Sequence, residues 1–361
     1  MNTGDAVGPT SRVDASPVYE RGPVPHGVVL RLDANEGAPP SLDTVVAALR
    51  DAGADLLRRY PDARPFEAML AGHFGVEPSQ VFVAAGADEV IDRCCRAFLP
   101  AGATMLIAEP GFEMFHQYAA LCGGNVVTAP WRPGPYPIAG MLDRVDDRTA
   151  VIALVTPDNP TGEVATLADL RRLAAAAPRA LVVLDHAYVD FADGDLTDAA
   201  LTLPNVVVIR TFSKAWGLAG CRVGYALGPA RIVKALRAAG GPFPVSSASL
   251  AIVRALFEAG TASRDAYVAR IRDERRGLFN LLTRLGATPR ESEANFVFAE
   301  LGARAPDVHA SLVSQGILVR LVSNRRREPL GLRITLPGDA PSFELLCRSL
   351  ERTLQSGAVN S

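Results

Sequence analysis

From residue 66 onward the chain alternates short, nearly continuous runs of Val, Ile, Leu and Ala with helical stretches, and this alternation restricts the fold more than any other feature. A run that is apolar at every position suits a strand covered on both faces, whereas a strand with one wet face alternates apolar and polar residues. Runs close to this pattern fall at 81–84, 105–108, 126–129, 151–155, 181–185, 206–210 and 222–227, with helical patterns between them at 88–98, 113–122 and 167–175. Strands joined by helical crossovers predict a mostly parallel seven-stranded sheet between two helical layers, a three-layer α/β/α domain. The rhythm changes near Gly240. Residues 246–286 read as long helix with a break around Gly260, followed by strands at 295–299, 317–322 and 332–336 and helices at 306–315 and 342–354. This predicts a smaller α+β domain. The expected division is an N-terminal arm, partly flexible, over 1–25; a large domain over 41–245; and a small domain built from 26–40 and 246–361.

At 361 residues the chain exceeds the ~100–200 usual for one domain, in keeping with two. Thirty-seven basic residues against 39 acidic ones leave a formal charge of −2, so no global basic field points to nucleic acid or an anionic membrane surface, and any anion must be held by local groups. No window of about 18 residues is continuously apolar, and the first residues lack a basic-then-apolar leader pattern, so a soluble cytoplasmic protein is expected. None of the five cysteines forms a C-x-x-C pair; free thiols are expected, and no metal. Only two of the 37 basic residues are lysines, Lys214 and Lys234. A chain that uses arginine wherever a plain positive charge suffices invites a chemical question of each lysine.

Lys214 follows a predicted buried strand, in Thr211-Phe212-Ser213-Lys214-Ala215-Trp216-Gly217. A solvated loop lysine is the plain alternative, but strand ends are where α/β folds gather reactive groups, and a primary amine condenses with an aldehyde while a guanidinium cannot. Ser213 and Arg222 flank it with a hydroxyl and a fork-shaped cation suited to a phosphate. Asp185, in Asp185-His186-Ala187-Tyr188, ends another strand; it either caps the following turn or meets a cationic partner such as a pyridinium nitrogen. Asn159, between Pro157 and Pro160, belongs to a turn whose amide can also donate to a phenolate oxygen. Gly86-Ala87-Asp88-Glu89 opens a helix whose first amides suit a phosphate, although the glycine reads equally as turn punctuation. Lys234 lies on an amphipathic helical pattern and reads as a solvated face, and Cys94 and Cys95 as inert packing.

Taken together, these strand ends resemble the fold-type-I pyridoxal-phosphate aminotransferases, most closely the histidinol-phosphate group among them. The likeness runs from about Tyr19 to Leu336, on Leu32-Asp33-Ala34-Asn35-Glu36, Arg59-Tyr60-Pro61, Gly86-Ala87-Asp88-Glu89, Asp158-Asn159-Pro160-Thr161-Gly162, Asp185-His186-Ala187-Tyr188, Ser213-Lys214-Ala215, Leu218-Ala219-Gly220-Cys221-Arg222-Val223-Gly224 and Leu332-Arg333-Ile334-Thr335. The resemblance implies pyridoxal 5'-phosphate as cofactor, held covalently by Lys214, which also moves the proton at the reacting carbon. It implies that Asp185 keeps the pyridine nitrogen protonated, that Asn159 and Tyr188 hydrogen-bond the ring oxygen, and that Phe112 stacks on the ring. The amides of Ala87 and Asp88, with Ser213 and Arg222, would hold the phosphate, and Tyr60 would reach it from the other subunit of a homodimer. Substrate contacts would come from Tyr19, Asn35, Arg320 and Arg333, with Arg333 clamping an anionic end; for Arg320 a plain surface charge beside Arg325, Arg326 and Arg327 is the other reading.

The chain departs from the pattern at His186, Phe112 and Asp158, where glutamate, tyrosine and asparagine are usual, which bears on the substrate rather than on the reacting groups. His186 reads either as a core histidine or as a group that alters the surroundings of Asp185. The expected activity is transfer of an amino group between a phosphorylated or otherwise anionic amino substrate, such as histidinol phosphate in histidine biosynthesis, and 2-oxoglutarate. The alternative keeps the cofactor and changes the bond broken: a decarboxylase, cyclase or oxidase acting on a phosphorylated amino acid or in a secondary pathway. A cofactor-binding regulator would need a basic helix-turn-helix, and none is seen before Tyr19 or after Leu354.

Overall fold

The computed structural model describes residues 8–14, 16, 18, 22–324, 326 and 328–356. Tyr19, named above as a substrate contact, lies outside the described residues, as do Arg325 and Arg327. The strands are β1 (Leu30–Leu32), β2 (Val81–Ala84), β3 (Thr104–Glu109), β4 (Asn125–Pro130), β5 (Thr149–Val155), β6 (Leu181–Asp185), β7 (Val206–Thr211), β8 (Gly224–Leu227), β9 (Thr288–Pro289), β10 (Phe296–Glu300), β11 (Ile317–Ser323) and β12 (Pro329–Thr335).

Strands β2 to β8 form one sheet in the order β2-β8-β7-β6-β5-β3-β4. The pairs from β7 through β4 are parallel, and β8 runs against both neighbours. These are the seven runs read from the sequence. Residues alternating along β5 and β6 feed two separate cores: Ile152, Leu154, Val182 and Leu184 belong to one, and Val151, Ala153, Leu181 and Val183 to the other. Apolar side chains on both faces are worth ~1.5–3 kcal/mol each when fully buried, which explains why these runs contain no polar alternation.

The second sheet has the order β1-β11-β12-β10-β9, with β1 parallel to β11 and the remaining pairs antiparallel. Helices Ala262–Arg284, Ala305–Ser314 and Ala340–Ser356 accompany it. Its core takes in Tyr188 and Ala215 from the loops of the large sheet, so the neighbours of Lys214 sit where the two sheets meet. The expected break lies between Ser247–Glu258 and Ala262–Arg284, at Gly260 with φ +92°.

Two features were not legible in the sequence. Strand β1 has only three residues, too few for a periodic signal, and is defined by its pairing with β11. Within the arm, Ser11–Asp14 forms a helical turn, and Arg12 Nη1 donates to the Cys122 carbonyl at 3.2 Å. Among the described residues no helix is long and apolar enough to cross a membrane.

Candidate active site

Strands β3, β5, β6 and β7 point the same way, and β2 joins them because β2 and β7 are both antiparallel to β8. Their C-terminal ends share one edge, where open α/β sheets place ligands. The register aligns that edge: Gly224 pairs with Ala84 and Thr211, and Asp185 with Val155 and Ile209. From it leave the loops that carry Ala87, Asp88, Phe112, Asn159, Tyr188, Ser213, Lys214 and Arg222.

Ala87 and Asp88 lie in the first turn of helix Gly86–Phe98, whose free amides and dipole favour an anion. Gly86 has φ +83°, and a Cβ there would lie 2.6 Å from Arg222 Nη2; the glycine lets the guanidinium come down over the helix start. Arg222, itself in the left-handed region at φ +51°, ion-pairs with Asp88 Oδ2 at 3.2 Å. Ser213 is buried and donates its amide to Thr211 Oγ1 at 3.1 Å. Amides, one hydroxyl and one guanidinium thus surround a small anion cup.

Asp185 is 3% exposed, and Oδ1 accepts from the Ala187 amide at 3.0 Å. Burial pushes its pKa up to about 7; the Ala187 bond and the Lys214 charge pull it down, while Asp88 adds to the rise. One amide does not offset the desolvation, and a cationic N–H would. Lys214 Nζ donates to the Ala34 carbonyl at 3.3 Å and lies 5.4 Å from the centroid of the Tyr188 ring. Its loop is pressed against residues 34–38: a Cβ on Gly37 would overlap the Lys214 carbonyl, and one on Gly217 the Ala38 carbonyl.

Arg333 Nη1 donates to Asn159 Oδ1 at 2.6 Å and Nη2 to the Asp33 carbonyl at 2.7 Å, with the guanidinium 5.5 Å from the centroid of the Phe296 ring. Because Oδ1 is taken by Arg333, the Asn159 amide turns its N–H donors elsewhere. Arg320 pairs directly with Arg333 in the β11–β12 register, and its Nη2 is 3.9 Å from Glu113 Oε1. Like charges directly opposite on a strand pair cost stability, and an anion between them reverses the sign.

Other residues lie elsewhere. Tyr60 is 82% exposed and stacks on Phe243 at 4.8 Å. Asn35 is 1% exposed and points into protein contacts. His186 is buried, with Nδ1 3.3 Å from Thr197 Oγ1 and 3.6 Å from Asp195 Oδ1; burial lowers its pKa, against the pull of the Asp195 carboxylate. Asp158 shapes the turn before Asn159 by accepting from the Thr161 hydroxyl at 2.8 Å. Lys234 is exposed, and Cys94 and Cys95 are buried free thiols. The sequence reading missed Thr335, Asn295, Glu113 and Gly224. Thr335 had a signal, since it lies two residues beyond Arg333 and shares its strand face.

This donor set fits pyridoxal phosphate: donors for a phosphate at a helix start, a buried acid for a pyridinium N–H, and an amine beside the Tyr188 ring. The model of the family described as "Aminotransferase class I and II" matches residues 28–350. An aromatic amino acid aminotransferase of Cutibacterium acnes is 35% identical over 90% of this chain and 92% of its own. A histidinol-phosphate aminotransferase of Granulibacter bethesdensis is 32% identical over 92% of this chain and 91% of its own. The crystal structure of the histidinol-phosphate aminotransferase of Sinorhizobium meliloti, in complex with pyridoxal 5'-phosphate, superposes with a TM-score of 0.83 at 26% identity, covering 98% of this chain and all of that one. The chain therefore belongs to the class I and II aminotransferases and is a fold-type-I, pyridoxal-phosphate-dependent transaminase.

Proposed function

We propose that this transaminase acts on a phosphorylated amino donor, histidinol phosphate foremost, with 2-oxoglutarate as acceptor, and so serves histidine biosynthesis. The observation that carries this reading is the cross-strand pairing of Arg320 with Arg333, which places two cationic residues side by side on one sheet face, a charge pattern suited to an anionic substrate group. The names of several relatives at 31–35% identity support it.

Bound pyridoxal phosphate supplies the electron sink for negative charge at the substrate's reacting carbon. In this reading Lys214 anchors the cofactor and takes and returns the proton at that carbon, a task worth ~10²–10⁴ in rate. Asp185 holds the pyridine N–H, Asn159 and Tyr188 donate to the ring oxygen, and Phe112 covers the ring. Ala87, Asp88, Ser213 and Arg222 hold the phosphate, Arg333 orients the substrate, and Arg320 takes its phosphate. Tyr60 completes the partner's site in a homodimer; the exposed apolar surface of Leu42, Leu57, Tyr60 and Phe243 supports that assembly. We also propose that the chain divides into a large domain of 41–245 and a small one of 26–40 with 246–361.

An aromatic amino acid donor is the second reading, favoured by the Cutibacterium acnes relative. Both are decided by measuring glutamate formed from 2-oxoglutarate with histidinol phosphate, histidinol, phenylalanine and tyrosine as donors. Arg320→Ala should cost ~10- to 100-fold in kcat/KM for the phosphorylated donor, the worth of a charge-assisted hydrogen bond, and spare the others. No turnover of histidinol phosphate by the parent, or equal loss for every donor in the variant, rejects the phosphate reading.

A further inference from the structure

Asn35 was expected to touch substrate, yet every polar group of the residue is engaged within the protein. Its amide N–H donates to Thr335 Oγ1 at 3.2 Å, its carbonyl accepts from Asn295 Nδ2 at 3.3 Å, its Oδ1 lies 2.8 Å from Thr335 Oγ1, and its Nδ2 donates to the Tyr188 hydroxyl at 2.9 Å. The backbone sits at φ +54°, a conformation that asparagine tolerates better than most residues.

The directions of these bonds follow from donor and acceptor inventory. A backbone N–H can only donate, so Thr335 Oγ1 accepts there. The single hydroxyl proton of Thr335 then goes to Asn35 Oδ1, its only hydrogen-bond acceptor among the described residues. That contact places Oδ1 toward Thr335 and Nδ2 toward Tyr188, so the phenol oxygen is an acceptor from Asn35. Its own proton is free to point elsewhere.

We infer that Asn35, itself oriented by Thr335, is a positioning residue that makes Tyr188 a donor toward the cofactor's ring oxygen. Asn35 thereby joins the small sheet, through β12, to the ring site of the large sheet. The inference rests on the placement of Tyr188 beside that oxygen in the reading above.

The test is a pH titration of the bound cofactor's visible absorption in the holoenzyme. A donor to the ring oxygen stabilises its negative charge, so losing the donor moves the midpoint upward by about one pH unit. Asn35→Gly removes the amide and tolerates the left-handed backbone; neither it nor Thr335→Val changes the charges of Lys214, Asp185 or Arg333. Asn35→Gly should raise the midpoint in the same direction as Tyr188→Phe, and the double variant should shift no further than Tyr188→Phe alone. Thr335→Val should follow with a smaller rise, and Thr335→Ser should restore the parent value. A shift in Tyr188→Phe with none in Asn35→Gly, or full additivity in the double variant, overturns the inference and leaves the Tyr188 placement standing. An unmoved midpoint in Tyr188→Phe overturns that placement, and the inference with it.

Discussion

Gly224→Ala puts the geometry of the anion cup to a quantitative test. A Cβ on this residue would lie 2.6 Å from the Ala87 nitrogen, 2.6 Å from the Gly86 carbonyl carbon and 3.0 Å from the Arg210 carbonyl oxygen. All three are backbone atoms, and ordinary contact begins near 3.4 Å, so the helix start has to retreat by about 0.8 Å. The strand cannot yield instead, because Gly224 is paired to Ala84 on one side and Thr211 on the other. Overpacking of this kind costs ~1–3 kcal/mol of stability. If the Ala87 amide holds the cofactor phosphate, its displacement should forfeit a charge-assisted hydrogen bond of ~1.5–3 kcal/mol, weakening cofactor binding ~10- to 150-fold. Gly228, just past the other end of the same strand, is the control: its Cβ would meet the Val206 carbonyl oxygen at 3.1 Å, far from the cup. Titration of cofactor into the stripped protein, followed by absorbance, gives the affinity, and thermal unfolding gives the stability. A Gly224→Ala protein that binds cofactor as tightly as the parent, or a Gly228→Ala protein that binds as weakly as Gly224→Ala, would refute the reasoning.

Two further outcomes follow from buried charge. Burial pushes the Asp158 carboxyl up to about 7, against the pull of the Thr161 hydroxyl and amide, so between its unfolded value of 3.8 and about 7 the folded protein keeps a proton that the unfolded chain has released. Its contribution therefore falls as pH rises through that window, by at most ~1.4 kcal/mol per unit. Asparagine keeps an acceptor for Thr161 without the charge, so Asp158→Asn should be more stable than the parent at about pH 8 and lose that advantage at about pH 5 in chemical denaturation. Asp185 and Glu274 shift the same way, so the parent's slope should shrink and not vanish. Arg290 bonds Glu163 at 2.8 Å and Glu300 at 2.7 Å, joining the loop beyond Asn159 to β10. Arg290→Met should cost ~3–5 kcal/mol in the same assay, since it leaves two carboxylates facing each other with the cation gone; a loss under ~1 kcal/mol would show the pair to be solvated.

Short-range pattern carried the architecture and singled out the candidate reacting groups. The seven runs of the large sheet are apolar at nearly every position because they feed cores on both faces of the sheet, and that condition is written locally. Lys214 stood out because arginine had replaced lysine almost everywhere else, and Asp185 because a carboxylate closed a buried run. What folding alone decided is who meets whom across the chain. Asn35 finds Tyr188 at a separation of 153 residues and Thr335 at 300, contacts that no local pattern announces. Arg320 and Arg333 face each other only because β11 and β12 pair in one register; a slip of one residue would send one of them to the other face. His186, one residue past the end of β6, is buried with its Nδ1 against Thr197 and Asp195, neighbours that its sequence position does not reveal. Local chemistry along a chain sets which groups are available; distance and direction between them arise only when burial of the apolar faces has fixed every strand against its neighbour.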